Sequence, residues 1–342
     1  MKIVRSLPLA AAMALGLSAV ATPQVLAGTA RGAADAPATT AATGPGHSAN
    51  GRIVFSSSFM LVGEDPTQPS QVFSVRPDGS HLRQLTNVPA GSAAGSPDVS
   101  PDGRRVAYLS TVSGRVAVWM MRLDGSHQHR LFGARNFDYF QPRWSPDGTR
   151  LAVSRCDVRF GFTAACDIDV IDADGTGRHQ VVGGHRLNRD PVWSPDGSRI
   201  AFDSDRAGLL SAVWVAKASG RGRPTRLTGP NLEAFWPSWS PDGSRLIVCD
   251  NFDRPNGDVF VMRPDGSHLR QLTHFRADHG GCFASYSPNG RRIVLSSDAR
   301  RRAGADKADL FTMHADGTHL TRIVTDPPAG VLADWAPRRS LR

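Results

Sequence analysis

The chain predicts an all-β fold, a six-bladed β-propeller of four-stranded blades, closed by pairing its N- and C-terminal strands. Three observations predict it. The tetrapeptide Ser-Pro-Asp-Gly begins at Ser100, Ser145, Ser194 and Ser240, Ser287-Pro288-Asn289-Gly290 is a near copy, and Trp335-Ala336-Pro337 is a degenerate sixth. The spacings are 45, 49, 46, 47 and 49 residues, a period that suits one four-stranded blade. Finally, the runs between repeats are short and apolar, and no amphipathic helical pattern interrupts them.

Each part of the repeat has a mechanical reason. Ser-Pro-Asp-Gly suits a type I turn, with Ser at the first position, Pro fixing φ at the second and Gly accepting positive φ at the end. Before the turn comes a short strand ending in a large aromatic: Trp144, Trp193, Trp239, Tyr286 or Trp335, with Val99 the exception. These aromatics read as packing residues between blades rather than as a ligand platform. After the turn comes Arg and an apolar strand, from Arg105, Arg150, Arg199, Arg245 and Arg292. A third strand runs into an Asp-Gly turn, as in Val116–Gly125, Asp258–Gly266 and Asp309–Gly317. The fourth is of the Arg-Gln-Leu-Thr type, as at Arg83–Thr86, Thr225–Thr228 and Arg270–Thr273.

The count closes at the ends. Gly51–Phe55 is a second strand with no first strand ahead of it, and Leu332–Trp335 is a first strand with no second behind it. Pairing them completes the sixth blade and removes the exposed edges.

Trp-Ser-Pro-Asp-Gly, then Arg-Ile-Ala-Phe, an Asp-Gly turn and Leu-Thr resembles the TolB-type propeller repeat across Gly51–Pro337. The same repeat occurs in the propellers of prolyl-oligopeptidase-like enzymes, which attach a separate α/β-hydrolase domain. No Gly-x-Ser-x-Gly elbow occurs in this chain, and five residues follow Pro337, so no hydrolase domain and no catalytic residue is expected. The resemblance implies partner binding through the loop-rich face of the propeller. It does not extend to the additional N-terminal α/β domain of TolB, because the residues ahead of the repeats read differently.

Residues 1–27 read as a secretory signal peptide. Lys2 and Arg5 precede an apolar stretch, Leu7–Ala21, and small residues follow up to Ala27. That stretch is shorter than the ~20 residues a membrane span needs. Residues 28–50, rich in Ala, Thr, Gly and Pro, read as a disordered tether, and 51–342 as the propeller. The expected location is outside the cytoplasm: periplasmic, cell-wall-associated or extracellular.

The chain carries 40 Lys+Arg against 31 Asp+Glu. Cleavage after Ala27 would remove Lys2 and Arg5 and leave 38 against 31, a net charge of +7. The positive charge is nearly all Arg, spread along the sequence. It reads as solvated turns and blade rims, with an attraction to anionic envelope polymers or lipid headgroups as the sharper reading. Nucleic acid is not an expected partner, because no basic, aromatic-interleaved stripe is present.

Candidate site residues come from loops leading into the innermost strands, near the channel mouth. They are Asp138, Asp190, Glu233, His274, Asp278 and His279, a set that could bind a sugar or ion. Their spacing matches no zinc pattern, and Asp250, Asn251, Asp253, Asn256 and Asp258 lack the bidentate Glu of a calcium loop. No metal and no cofactor is therefore assigned. Two disulfides are expected in an exported chain: Cys156–Cys166 across a hairpin of blade three, and Cys249–Cys282 between blades five and six. The expected function is a monomeric, non-enzymatic scaffold for an envelope or secreted protein. The alternatives are a carbohydrate-active enzyme using the channel-mouth acids and His, or a binder of anionic envelope polymer.

Overall fold

The computed structural model describes residues 50–57, 69–158, 165–184, 186–208, 210–250, 257–275, 279–298, 308–324 and 331–337. The expected signal peptide, most of the tether, Asp278, Asn251, Asp253 and Asn256 lie outside the described residues.

The described residues form twenty-four strands in six antiparallel sheets of four. Blade one joins both ends of the chain: β1 (Asn50–Ser56), β2 (Val72–Val75) and β3 (Arg83–Gln84), with β24 (Val331–Pro337) as its innermost strand. Blade two is β4 (Ala94–Val99), β5 (Arg105–Ser110), β6 (Ala117–Arg122) and β7 (His129–Phe132). Blade three is β8 (Phe137–Trp144), β9 (Arg150–Asp157), β10 (Cys166–Asp172) and β11 (His179–Val182). Blade four is β12 (Asn188–Trp193), β13 (Arg199–Ser204), β14 (Ala212–Lys217) and β15 (Thr225–Arg226). Blade five is β16 (Ala234–Trp239), β17 (Leu246–Asp250), β18 (Val259–Met262) and β19 (Arg270–Gln271). Blade six is β20 (Gly281–Tyr286), β21 (Arg292–Ser297), β22 (Asp309–His314) and β23 (Thr321–Val324).

The ring closes by β1 pairing with β24, from Asn50 opposite Pro337 to Ser56 opposite Val331. Each Ser-Pro-Asp-Gly turn is bridged from the Gly N–H to the Ser carbonyl, as between Gly103 and Ser100 at 2.8 Å. The Ser hydroxyl donates to the Asp two residues on, 2.5 Å away in both Ser145–Asp147 and Ser194–Asp196. It also accepts the Arg N–H that starts the next strand, as Arg150 to Ser145 at 2.9 Å. Ser and Asp therefore clamp the turn whose φ angles Pro and Gly set.

The aromatics before these turns fill the seams between blades. Trp144 packs with Leu109 and Val118 of blade two and with Leu151 and Ile171 of its own blade. Trp335 does the same between Val294 and Leu310 of blade six and Ile53 and Phe55 of blade one. On three seams the Arg that follows the turn lies over the next blade's Trp. Arg105 covers Trp144, Arg150 covers Trp193 and Arg199 covers Trp239, at 4.4, 4.9 and 5.1 Å, within cation–π range.

The Leu-Thr signature also has a structural cause. In blades one, four and five the Thr hydroxyl takes the place of the next ladder carbonyl. Val72 N–H donates to Thr86, Val213 to Thr228 and Val259 to Thr273, at 2.9, 3.0 and 2.9 Å. Those fourth strands end after two residues, whereas blades two, three and six run for four.

Both expected disulfides are formed. Cys156 and Cys166 face each other in the register of β9 and β10. Cys249 and Cys282 join neighbouring blades, fully buried beside Phe283 and Leu332.

Candidate functional site

The six innermost strands contact one another in turn around the axis, and each carries a one-residue bulge at the same place. The bulged residue has positive φ in every blade: Ser96, Gln141, Asp190, Trp236, Phe283 and Leu332, at 43–54°. None is Gly, so each holds a left-handed backbone that costs of order 1 kcal/mol or more and that the ring must enforce. This ring is divided. Blades two to four contribute Ser96, Gln141 and Asp190. Blades five, six and one contribute Trp236, Phe283 and Leu332 beside the Cys249–Cys282 bridge. Trp236 and Phe283 meet with ring centroids 4.3 Å apart, and Phe235 lies 5.5 Å from Trp236.

Two buried acid pairs flank the polar half. Asp334 accepts the Val99 N–H at 2.9 Å, and Asp98 accepts the Trp144 N–H at 2.6 Å, so each carboxylate ties its blade to the next. Burial and then the neighbouring Asp334 push Asp98 up to about 7, although Arg143 stands 3.2 Å away. Burial raises Asp334 as well, against the hydrogen bonds from Val99 and Ser285. Asp190 is raised well above the carboxylate range by burial first and then by Asp203, with which it shares a hydrogen bond.

A carboxyl raised in the folded state stabilises the fold in full below its unfolded value, about 4. That contribution is lost as pH rises through the folded value. For Asp98, stability, and with it the melting temperature, is therefore expected to fall between about pH 4 and about pH 7, by up to about 1.4 kcal/mol per pH unit. Asp98→Asn should flatten that slope in a pH series of thermal melts; an unchanged slope would remove Asp98 as its source.

The structure gives the described sequence candidates the following places. Asp138 pairs with Arg115 at 3.1 Å. Asp190 sits in the bulge beside Asp203. His279 is buried, 3.6 Å from Asp298, and His274 is exposed before β20. Glu233 immediately precedes β16. Among the described residues no group of three or more His, Cys, Asp or Glu gathers where it could hold a metal ion. Sequence reasoning had no signal for the bulge ring or for Asp98 and Asp334. An alignment of the six blades on their Ser-Pro turns would have put all eight residues into two columns.

Six four-stranded blades closed into a ring by the two ends of the chain define a β-propeller. The chain belongs to the TolB beta propeller domain family, whose model matches residues 49–339. It is 30% identical over 219 residues, 63% of its length, to a protein named as a TolB homologue in Chlorobium luteolum. It is 35% identical over 83 residues, 23% of its length, to an uncharacterized protein of Agrobacterium fabrum. The chain spans 47% and 28% of the length of these two relatives, respectively. The crystal structure of TolB from Acinetobacter baumannii superposes with a TM-score of 0.66 at 21% identity, covering 86% of this chain and 68% of that one. Among the described residues no helix is long and apolar enough to cross a membrane.

Proposed function

We propose that this protein is an exported, non-enzymatic scaffold that binds an envelope or secreted protein partner at its channel mouth. The observation that carries the reading is the character of the axial ring. Its apolar half offers Trp236, flanked by half-buried Phe235, and large aromatics are the residues that anchor protein interfaces. Of the candidate acids, Asp138 is paired with Arg115 and Asp190 lies against Asp203. Membership of the TolB propeller family supports the same reading.

Export rests on the signal-peptide pattern of residues 1–27, and the two disulfides fit an oxidising compartment. The test is a pull-down from envelope and secreted extract with low-salt and then high-salt washes. A discrete protein retained at high salt is the expected result. Retention of polyanions alone, or of nothing, would contradict the scaffold reading.

A further inference from the structure

The Arg residues that look scattered in the sequence collect on one face. In each blade the turn between the first and second strands and the turn between the third and fourth lie at the same end of the sheet. Around the ring, the Gly of each Ser-Pro turn backs onto the turn Pro of the blade before: Gly148 on Pro101, Gly197 on Pro146, Gly243 on Pro195 and Gly290 on Pro241. Counted together with the strand ends that flank them, the first–second turns cover residues 102–105, 147–150, 196–199, 242–245 and 289–292. Counted the same way, the third–fourth turns cover 76–83, 122–130, 172–179, 217–226, 263–270 and 314–322, and 11 of the basic residues in the two sets are strand-end residues rather than turn residues. Together they hold 19 Arg and Lys against 10 Asp, an excess of nine, which equals the formal charge of the whole chain. Subtracting them from the totals of 40 and 31 leaves 21 basic and 21 acidic residues everywhere else. Seven of the 11 His also lie in these turns.

Two further features say what such a face meets. Leu82 and Leu269 are 45% and 43% exposed at the tips of the third–fourth turns of blades one and five. Each follows a His and precedes an Arg, and Leu320 holds the matching place in blade six, between them. A cleft of about 510 Å³ also opens on this face, lined by Arg150, Ser198, Arg199, Lys217 and Ser219, with no carboxylate among its lining residues. Basic side chains interleaved with exposed leucines suit the surface of an anionic bilayer, where phosphates meet the cations and leucines reach the acyl boundary. A soluble sugar or phosphate polymer would give the leucines nothing to bury against.

We propose that this turn face is a peripheral docking surface for anionic phospholipid, with the cleft beside Arg150, Arg199 and Lys217 receiving headgroup phosphate. It lies at the opposite end of the propeller from the channel mouth, so the two binding events do not compete for residues.

The test is co-sedimentation of the full chain with vesicles of equimolar phosphatidylglycerol and phosphatidylcholine, compared with phosphatidylcholine alone. Lys2 and Arg5 beside the apolar N-terminal stretch also favour anionic vesicles, so each variant is read against the wild type carrying the same stretch. Preference for the anionic vesicles is expected, and it should fade as salt rises. Arg221→Glu with Arg223→Glu, both exposed in blade four, should weaken the preference roughly tenfold or more. Leu82→Asn with Leu269→Asn should weaken it severalfold. Arg135→Glu, exposed on the loop before β8 at the other end, should leave it unchanged. Thermal melts matching the wild type establish that each variant is folded. Equal binding to both vesicles, or an equal loss with Arg135→Glu, would overturn the proposal. Leucine variants that bind like wild type while soluble polyphosphate displaces the vesicles would also overturn it, in favour of a polymer.

Discussion

Removing residues 331–342 is expected to abolish cooperative folding. The deletion takes away β24, which pairs with β1 and supplies the innermost strand of blade one. β1 is left as an unpaired edge on the axis, and the seams on both sides of it lose their filling. Trp335 is 3% exposed between blades six and one, and Ala336 is buried against Val99 and Val106 of blade two. Asp334 also leaves, so the Val99 N–H loses its acceptor. The milder Trp335→Ala should cost about 3–5 kcal/mol, the range for truncating a buried aromatic. That is a large share of the roughly 5–15 kcal/mol that holds a protein folded. Thermal unfolding followed by circular dichroism distinguishes the cases. The wild type should give one cooperative transition, Trp335→Ala one at clearly lower temperature, and the truncation none. A truncated chain that melts near the wild-type temperature would show that the ring does not depend on this closure.

Loss of the Cys249–Cys282 bridge should be the next largest effect. It spans 33 residues and ties the second strand of blade five to the first strand of blade six. In the chain-entropy account, closing a loop of that length contributes about 4 kcal/mol, against about 3 for the ten-residue loop of Cys156–Cys166. Both sulfurs of the longer bridge are buried beside Phe283 and Leu332, so replacement by Ala also leaves unfilled space. The double variant Cys249→Ala/Cys282→Ala should melt lower by on the order of 10 °C. The corresponding Cys156→Ala/Cys166→Ala pair should show a smaller drop. The reverse order in a side-by-side scan would mean that the interblade bridge does not hold blades five and six together.

The fold was legible in the sequence because each repeat carries its own turn chemistry. Ser100, Pro101, Asp102 and Gly103 form the turn that their residue types dictate, and the same holds in the next four copies. The ring closure could be read because the two ends were incomplete in complementary ways. The disulfides could be read because a hairpin and a shared strand position limited the choices. What escaped was arrangement around the axis. A left-handed bulge at Trp236 or Leu332 violates local preference and exists only because six strands meet there, so no local signal announces it. Asp98 and Asp334 sit 236 positions apart in the chain and become neighbours only when blade one closes. The positive charge shows the same limit: even spacing along the chain becomes a one-sided face once turns of the same kind stack in a ring. The channel-mouth candidates were chosen by loop position, which says where a residue starts but not which partner takes it up.

The central functional claim is that a protein partner docks at the channel mouth, and site-specific photo-crosslinking tests it most directly. A photoreactive residue is placed at His274, exposed before β20 near the channel mouth, and separately at Arg221, exposed on the opposite turn face. Each chain is expressed in its own envelope and irradiated. The account predicts a discrete protein adduct from position 274 and none from position 221. A protein adduct only from position 221, or none from either, would contradict it.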